Sequence, residues 1–405
     1  MDRESDATPS LTRRNKVLKF WLSSYKPNAT NYLINPGAKL IALPLKAYDL
    51  KRKTMVNLPH IKRLAKKWYR ARVVNYDPKR GVVGLLAAKR FDVKAKNPCS
   101  CVPPSITDPR IRKIICRRCR NSFKSRMAAL KRAKFKHYYL HVRLKDGKTL
   151  WRVKLRGKRV HPLGVDRKAD NMMFISAVRD KKTGKQKINL QRLTFTSRKI
   201  TWRYTLKMPT RKGSKLSGAA RTFIGPDLKK VFVVEYDERN KRKPHGYLSS
   251  PRAQGFIIDV ARSKKVQFRV PVTTYGAIFT RDGRWLYISS HQLGRVYKIN
   301  AATGKKVKSV YNGYGVYHLH FSKTERLLYA FSVKGVKVYD PHTLKLVKAY
   351  ALSALFPGAR RFLSVQRVIS FPAGDLFMGI MRHHKRTQTS HASSGNGFVH
   401  FHAGE

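Results

Sequence analysis

The chain has 405 residues, with 89 Lys plus Arg against 21 Asp plus Glu, giving a formal net charge of +68. Hydrophobic residues at 42% and aromatics at 11% are enough for a core, which excludes wholesale disorder. A one-signed charge of this size destabilises a compact chain unless a polyanion neutralises it, so nucleic acid is the first partner implied, with an anionic membrane surface or acidic protein second.

The N-terminus, Met1-Asp2-Arg3-Glu4-Ser5-Asp6, is acidic and lacks an apolar run. It reads as neither a secretory signal nor an acid-poor mitochondrial presequence. No stretch approaches the roughly 20 apolar residues of a membrane span. Strand-like segments follow up to Leu58. The run Ile61 to Arg70 then reads as a short helix carrying Lys62, Arg63, Lys66, Lys67 and Arg70.

The chain's four cysteines come next, as Cys99-Ser100-Cys101 and Cys116-Arg117-Arg118-Cys119. Two short knuckles with four thiolates match a tetrahedral structural zinc site, and one Zn2+ is the cofactor expected there. No acid occurs from Pro109 to Lys145. Within that stretch Arg117 to Lys136 reads as a helix with Phe123, Met127 and Leu130 on one side. Arg117, Arg118, Arg120, Lys124, Arg126, Lys131, Arg132, Lys134 and Lys136 surround that stripe and are the expected phosphate contacts. Trp68 and Tyr69, and the aromatics from Phe135 to Tyr139, lie among cations. They suit either base stacking or core packing.

Beyond the insertion a template recurs: Lys, two residues, an aromatic, Arg, two residues, an aliphatic. Lys148, Trp151, Arg152 and Leu155 fit it, as do Lys199, Trp202, Arg203 and Leu206. Lys265, Phe268, Arg269 and Val272 fit it a third time, and Lys53, Val56 and Leu58 form a degraded copy. Alternation puts the aromatic and the Arg on opposite faces of a strand. Short strands separated by Gly-, Asp- and Asn-containing turns run from Thr222 to Val270, Tyr275 to Tyr311 and Tyr317 to Tyr350. Fourth strands begin at Lys265, Lys305 and Lys345, a period matching the roughly 40–45 residues of a propeller blade.

From Asp282 through Trp285 and Ser289, then Gly294 to Asn300 and Thr303 to Val307, the sequence resembles a blade of the YVTN/WD40-like β-propeller superfamily. The Trp-Asp and Gly-His signatures of true WD40 blades are missing. The resemblance implies an all-β fold, a seven-bladed β-propeller with six blades as the alternative, plus a basic, partly helical insertion. On this reading 1–58 supplies an N-terminal segment and ring-closing strands. Residues 59–97 and 137–405 carry the blades, and 98–136 is the insertion. The last blade lacks a fourth strand, which the N-terminus is expected to supply; such sharing would reduce seven blades to six.

Catalysis is not expected. Asp77, Asp282 and Asp340 sit at turn positions, and no phosphate loop, nucleophile elbow or zinc-protease helix occurs. His383, His384, His391, His400 and His402 cluster near the C-terminus and read as surface residues. The sequence therefore points to a structural, nucleic-acid-binding component of a large nucleoprotein particle such as a ribosome, binding RNA more than DNA by its backbone and located inside the cell. A virion core protein on a packaged genome is one alternative. A non-enzymatic scaffold docking acidic proteins is the other.

Overall fold

The computed structural model describes residues 10–13, 33–35, 40–43, 46–49, 54–66, 68, 70–77, 80–91, 134–166, 168, 170–179, 186–207, 221–235, 253–270, 274–291, 293–351, 355, 363–370, 375–382 and 397–404. Strand β1 (Ser10–Arg13) precedes a sheet of β2 (Leu33–Asn35), β3 (Leu40–Leu43), β4 (Lys46–Asp49) and β5 (Thr54–Asn57). Helix α1 (Pro59–Lys66) leads into β6 (Arg70–Asp77), β7 (Val82–Phe91), β8 (Lys134–Arg143) and β9 (Thr149–Leu155). The third sheet is β10 (Lys158–Val165), β11 (Asn171–Arg179), β12 (Gln186–Thr194) and β13 (Lys199–Lys207). The fourth is β14 (Arg221–Ile224), β15 (Lys230–Glu235), β16 (Ala253–Asp259) and β17 (Lys264–Val270). The fifth is β18 (Thr274–Phe279), β19 (Trp285–Ser290), β20 (Arg295–Asn300) and β21 (Lys306–Tyr311). The sixth is β22 (His318–Phe321), β23 (Leu328–Ser332), β24 (Gly335–Tyr339) and β25 (Leu346–Ala351).

The remaining strands are β26 (Leu363–Ser370), β27 (Asp375–Arg382) and β28 (Gly397–Gly404). They form a four-stranded sheet by taking in β1, in the order β1-β28-β27-β26, with Ser10 opposite Gly404 and Arg13 opposite Phe401. The N-terminal strand thus completes the final sheet, as expected. It does so without drawing on β2–β5, which form a sheet of their own.

Sheets pack face to face, and alternation along the central strands explains how. On β15, Val231 and Val233 join Met173, Leu190 and Leu206 of the preceding sheet, while Phe232 and Val234 join Leu286 and Ile288 of the following one. On β19, Leu286 and Ile288 face back, and Tyr287 faces forward onto Leu319, Leu328 and Tyr339. A strand buried on both faces reads as an unbroken apolar run, which is why Val231-Phe232-Val233-Val234 shows no alternation. Each such fully buried side chain contributes about 1.5–3 kcal/mol.

Third and fourth strands are joined by one recurring turn. Gly147, Arg198, Ser263, Gly304 and Leu344 all adopt positive φ, between 52° and 73°. Each is followed by an exposed lysine: Lys148, Lys199, Lys264, Lys305 and Lys345. In one sheet the register therefore differs from expectation, since Lys264 rather than Lys265 is the counterpart of Lys305 and Lys345. The cause is a bulge. β9, β13, β21 and β25 each shift register after this turn, whereas β17 does not.

Two helical expectations are corrected. The helix expected over 61–70 ends at Lys66, because Val73, Val74 and Tyr76 belong to a strand that starts at Arg70. The helix expected over 117–136 does not reach its last residues. Lys134 and Lys136 lie in β8, opposite Phe91 and Lys89, where Tyr139, Leu140 and Val142 bury themselves in the core. Residues 92–133, with all four cysteines and the cations Arg117 to Arg132, lie outside the described residues.

Candidate docking surface at the loop end

Antiparallel order gives every sheet two ends. First–second and third–fourth turns lie at one, the turn end. Second–third connections and, from the second sheet onward, the links between sheets lie at the other, the loop end; α1, which leads into the second sheet, starts beside its turn end, with His60 against Gly147. Of the acids described in the second to seventh sheets, all but Glu235 lie at the turn end, and most are engaged in capping it. The Asp166 carboxylate accepts from the N–H groups of Asp170 and Asn171, Asp259 from that of Arg262, Asp282 from that of Arg284, and Asp340 from that of Thr343. Asp146 accepts from Arg143 and from the Lys148 N–H; these bonds, the guanidinium first, hold its carboxyl down to about 2.

The turn end also locks neighbouring sheets together. Trp202 Nε1 donates to Ser263 Oγ across the sheet boundary at 3.1 Å. Phe268 lies so close to Gly304 that a Cβ there would come within 2.9 Å of it. Tyr287 donates to the Pro341 carbonyl at 2.6 Å, and Lys298 Nζ to that of His342 at 3.1 Å. Trp151 packs 6.3 Å from Phe195 of the next sheet. Trp151 and Trp202 are equivalent, as the template implied. Phe268 stands one inward-facing position further along its unbulged strand, level with Val153 and Tyr204.

At the loop end the chemistry changes. The Arg221 guanidinium, at the start of β14, lies 3.5 Å from the centroid of the Tyr275 ring and donates to the Tyr275 carbonyl at 3.2 Å. Tyr275 lies 4.9 Å from His291, and His291 meets Tyr314 edge-on at 5.1 Å. Tyr275 is 41% exposed and Tyr314 50%. Leu293 and Tyr311 are exposed at the same end. Burial first, and the Arg221 charge second, hold His291 below the ordinary histidine range.

This ladder is held from beneath. The Gly315 N–H donates to the His291 carbonyl at 3.0 Å, and the Asn312 N–H to the Gly294 carbonyl at 2.7 Å. Buried Tyr339 donates to Asn312 Oδ1 at 2.8 Å. Gly313 and Gly315, at φ 100° and 85°, let the chain fold Tyr314 over His291. Sequence reasoning missed this cluster, because its members come from β14, β18 and two loops. The available signal was Asn312-Gly313-Tyr314-Gly315, an aromatic between two glycines in a link between sheets.

Of the residues singled out in the sequence, none of the described ones belongs to this cluster. Arg63 is exposed on α1 and its Nη2 lies 3.0 Å from His60 Nδ1. Lys62 and Lys66 share that helix, Lys67 lies outside the described residues, and Arg70 opens β6. Trp68 and Tyr138 pack together at 5.6 Å against the core and Tyr139 is fully buried, so these aromatics are packing residues. His400 and His402 stand two apart on β28. Among the described residues no group of three or more His, Cys, Asp or Glu could hold a metal ion, and no helix is long and apolar enough to cross a membrane.

No protein-family model matches the sequence, and no curated protein does. Solved structures do. A chain from a crystal structure of the mitotic checkpoint complex is similar over 100% of this chain and 97% of its own, with a TM-score of 0.52 and 11% identity. The fold is a β-propeller. The β-propeller domain of Cps50 (Swd1) from Myceliophteria thermophila is similar over 61% of this chain and 79% of its own, with a TM-score of 0.39 and 12% identity. Kuenenia stuttgartiensis hydrazine synthase matches over 60% of this chain and 63% of its own, with a TM-score of 0.39 and 13% identity. At these identities the likeness concerns the fold, and a propeller hosts many functions.

Proposed function

We propose that the chain is a non-enzymatic propeller scaffold that docks acidic partners on its loop end within a larger assembly, the seven sheets forming the blades of one ring closed by β1. The observation that carries this is the uneven placing of acids: nearly all the described acids cap turns at one end, where cations such as Lys148, Lys199 and Lys305 accompany them, while cations and exposed aromatics at the other have Glu235 as their one described acid. The propeller likeness to a chain of a multi-protein complex agrees with a scaffold. A second reading is favoured by the size of the charge. A net +68 exceeds what acidic proteins need and suits nucleic-acid phosphate bound through its backbone. RNA in a ribosome-like particle, or a genome in a virion core, would fill that place.

Nuclease treatment of the native assembly separates the two. A chain that stays bound after ribonuclease and deoxyribonuclease, yet leaves in high salt, supports acidic protein partners. Release by nuclease supports nucleic acid, and a free monomer in low salt contradicts both. The proposal includes one structural zinc ion on Cys99, Cys101, Cys116 and Cys119, whose two-knuckle spacing supports it. Elemental analysis should find one zinc per chain, lost in Cys116→Ser; metal-free wild-type protein contradicts it.

A further inference from the structure

We infer that Arg221, Tyr275, His291 and Tyr314 form a stacking platform for the unpaired bases of a single-stranded nucleic acid. The inference rests on the second reading above and deepens it. Three rings from two neighbouring loops and a strand start stand in series, each about 5 Å from the next. The outer two are exposed tyrosines, and the middle one is a histidine ring that packs against both.

Base stacking needs flat, fixed, accessible rings and no carboxylate to repel the sugar–phosphate chain. The hydrogen bonds from Gly315 and Asn312 supply the fixing. Arg295, exposed at the start of β20, and Lys334, exposed in the β23–β24 turn that abuts Gly315 through Val333, lie at the same end for the phosphates. Glu235, the one described acid at that end, belongs to β15 rather than to the loops that carry the rings. An acidic peptide would use the same cations but has no bases to stack on the rings, so it is the occupant that a loss confined to polyglutamate would indicate.

The test compares a labelled 12-nucleotide oligoadenylate RNA with an abasic strand of equal phosphate count and with polyglutamate, using the full chain. Tyr314→Ala should weaken oligoadenylate binding by about 5- to 150-fold, the range of one base–aromatic stack. Binding of the abasic strand and polyglutamate should change less than twofold. Tyr314→Phe, which keeps the ring, should bind like wild type and controls for folding. Equal losses on all three ligands, or a loss confined to polyglutamate, would overturn the platform. If wild type binds both strands equally and Tyr314→Ala changes neither, the platform fails while backbone binding stands. If wild type binds neither strand, the nucleic-acid reading fails as well.

Discussion

His141 stacks on Trp151 with ring centroids 4.6 Å apart and planes 11° from parallel, in the turn-end core of the second sheet. Burial, followed by the charges of Arg198 and Arg80 and opposed by Asp77, pushes its pKa down to about 4. The unfolded chain titrates this group near 6.5. Below that value the unfolded state binds the proton more readily than the folded one. Its contribution is therefore complete above about pH 6.5 and is lost as pH falls towards 4. Denaturant melts of wild type and His141→Phe from pH 7.5 to 4.5 should show the steeper acid loss in wild type. Parallel profiles would remove His141 from the acid sensitivity of the fold. The recurring turn shows a second single-residue effect. Arg198, Ser263 and Leu344 tolerate the left-handed region that Gly147 and Gly304 take freely, at a cost of order 1 kcal/mol each. At Gly304 the Phe268 ring adds a steric reason for glycine.

Among the elements, those from β18 to β25 were legible in the sequence to within a residue, because two-sided burial and Gly/Asp/Asn turns leave strong local marks. The closing role of β1 could also be anticipated from a last sheet one strand short. Less was visible where the cause is not local. The bulges that β9, β13, β21 and β25 carry and β17 lacks depend on cross-strand pairing, so the aromatic template placed Phe268 beside Trp151 and Trp202 when it lies one inward-facing position on. The end of α1 and the start of β8 were misread because basic residues suit either helix or strand, and the choice fell to apolar neighbours such as Val73 and Leu140. Of the ladder from Arg221 to Tyr314 only the Asn312-Gly313-Tyr314-Gly315 link left a local mark, since three-dimensional packing assembles the rest. Pairing of β1 with β28 yields the element-scale prediction. A chain lacking residues 1–13 leaves the β28 edge open. It should lose on the order of 2 kcal/mol of stability and self-associate with rising concentration, as read by melting and light scattering. An unchanged, monomeric truncation would contradict the closure.

On the scale of the whole molecule, charge and architecture are one argument. Turn-end carboxylates hold the turns that lock sheet to sheet, and that use leaves the loop end with Glu235 as its one described acid beside Arg221, Tyr275, His291 and Tyr314. On the proposed reading, the loop end is the face that meets a polyanion, since most described acids are occupied elsewhere. The most direct measurement is the salt dependence of binding to polyglutamate and to single-stranded RNA, for wild type and for a triple variant with Arg221, Arg295 and Lys334 changed to Glu. For wild type, the logarithm of affinity for at least one of the two should fall steeply and linearly with the logarithm of salt. For the triple variant that slope should shrink by about 2 to 3 units, roughly one per cation. A shallow wild-type slope on both ligands, or a variant that keeps the full slope, would contradict the loop end as the docking surface.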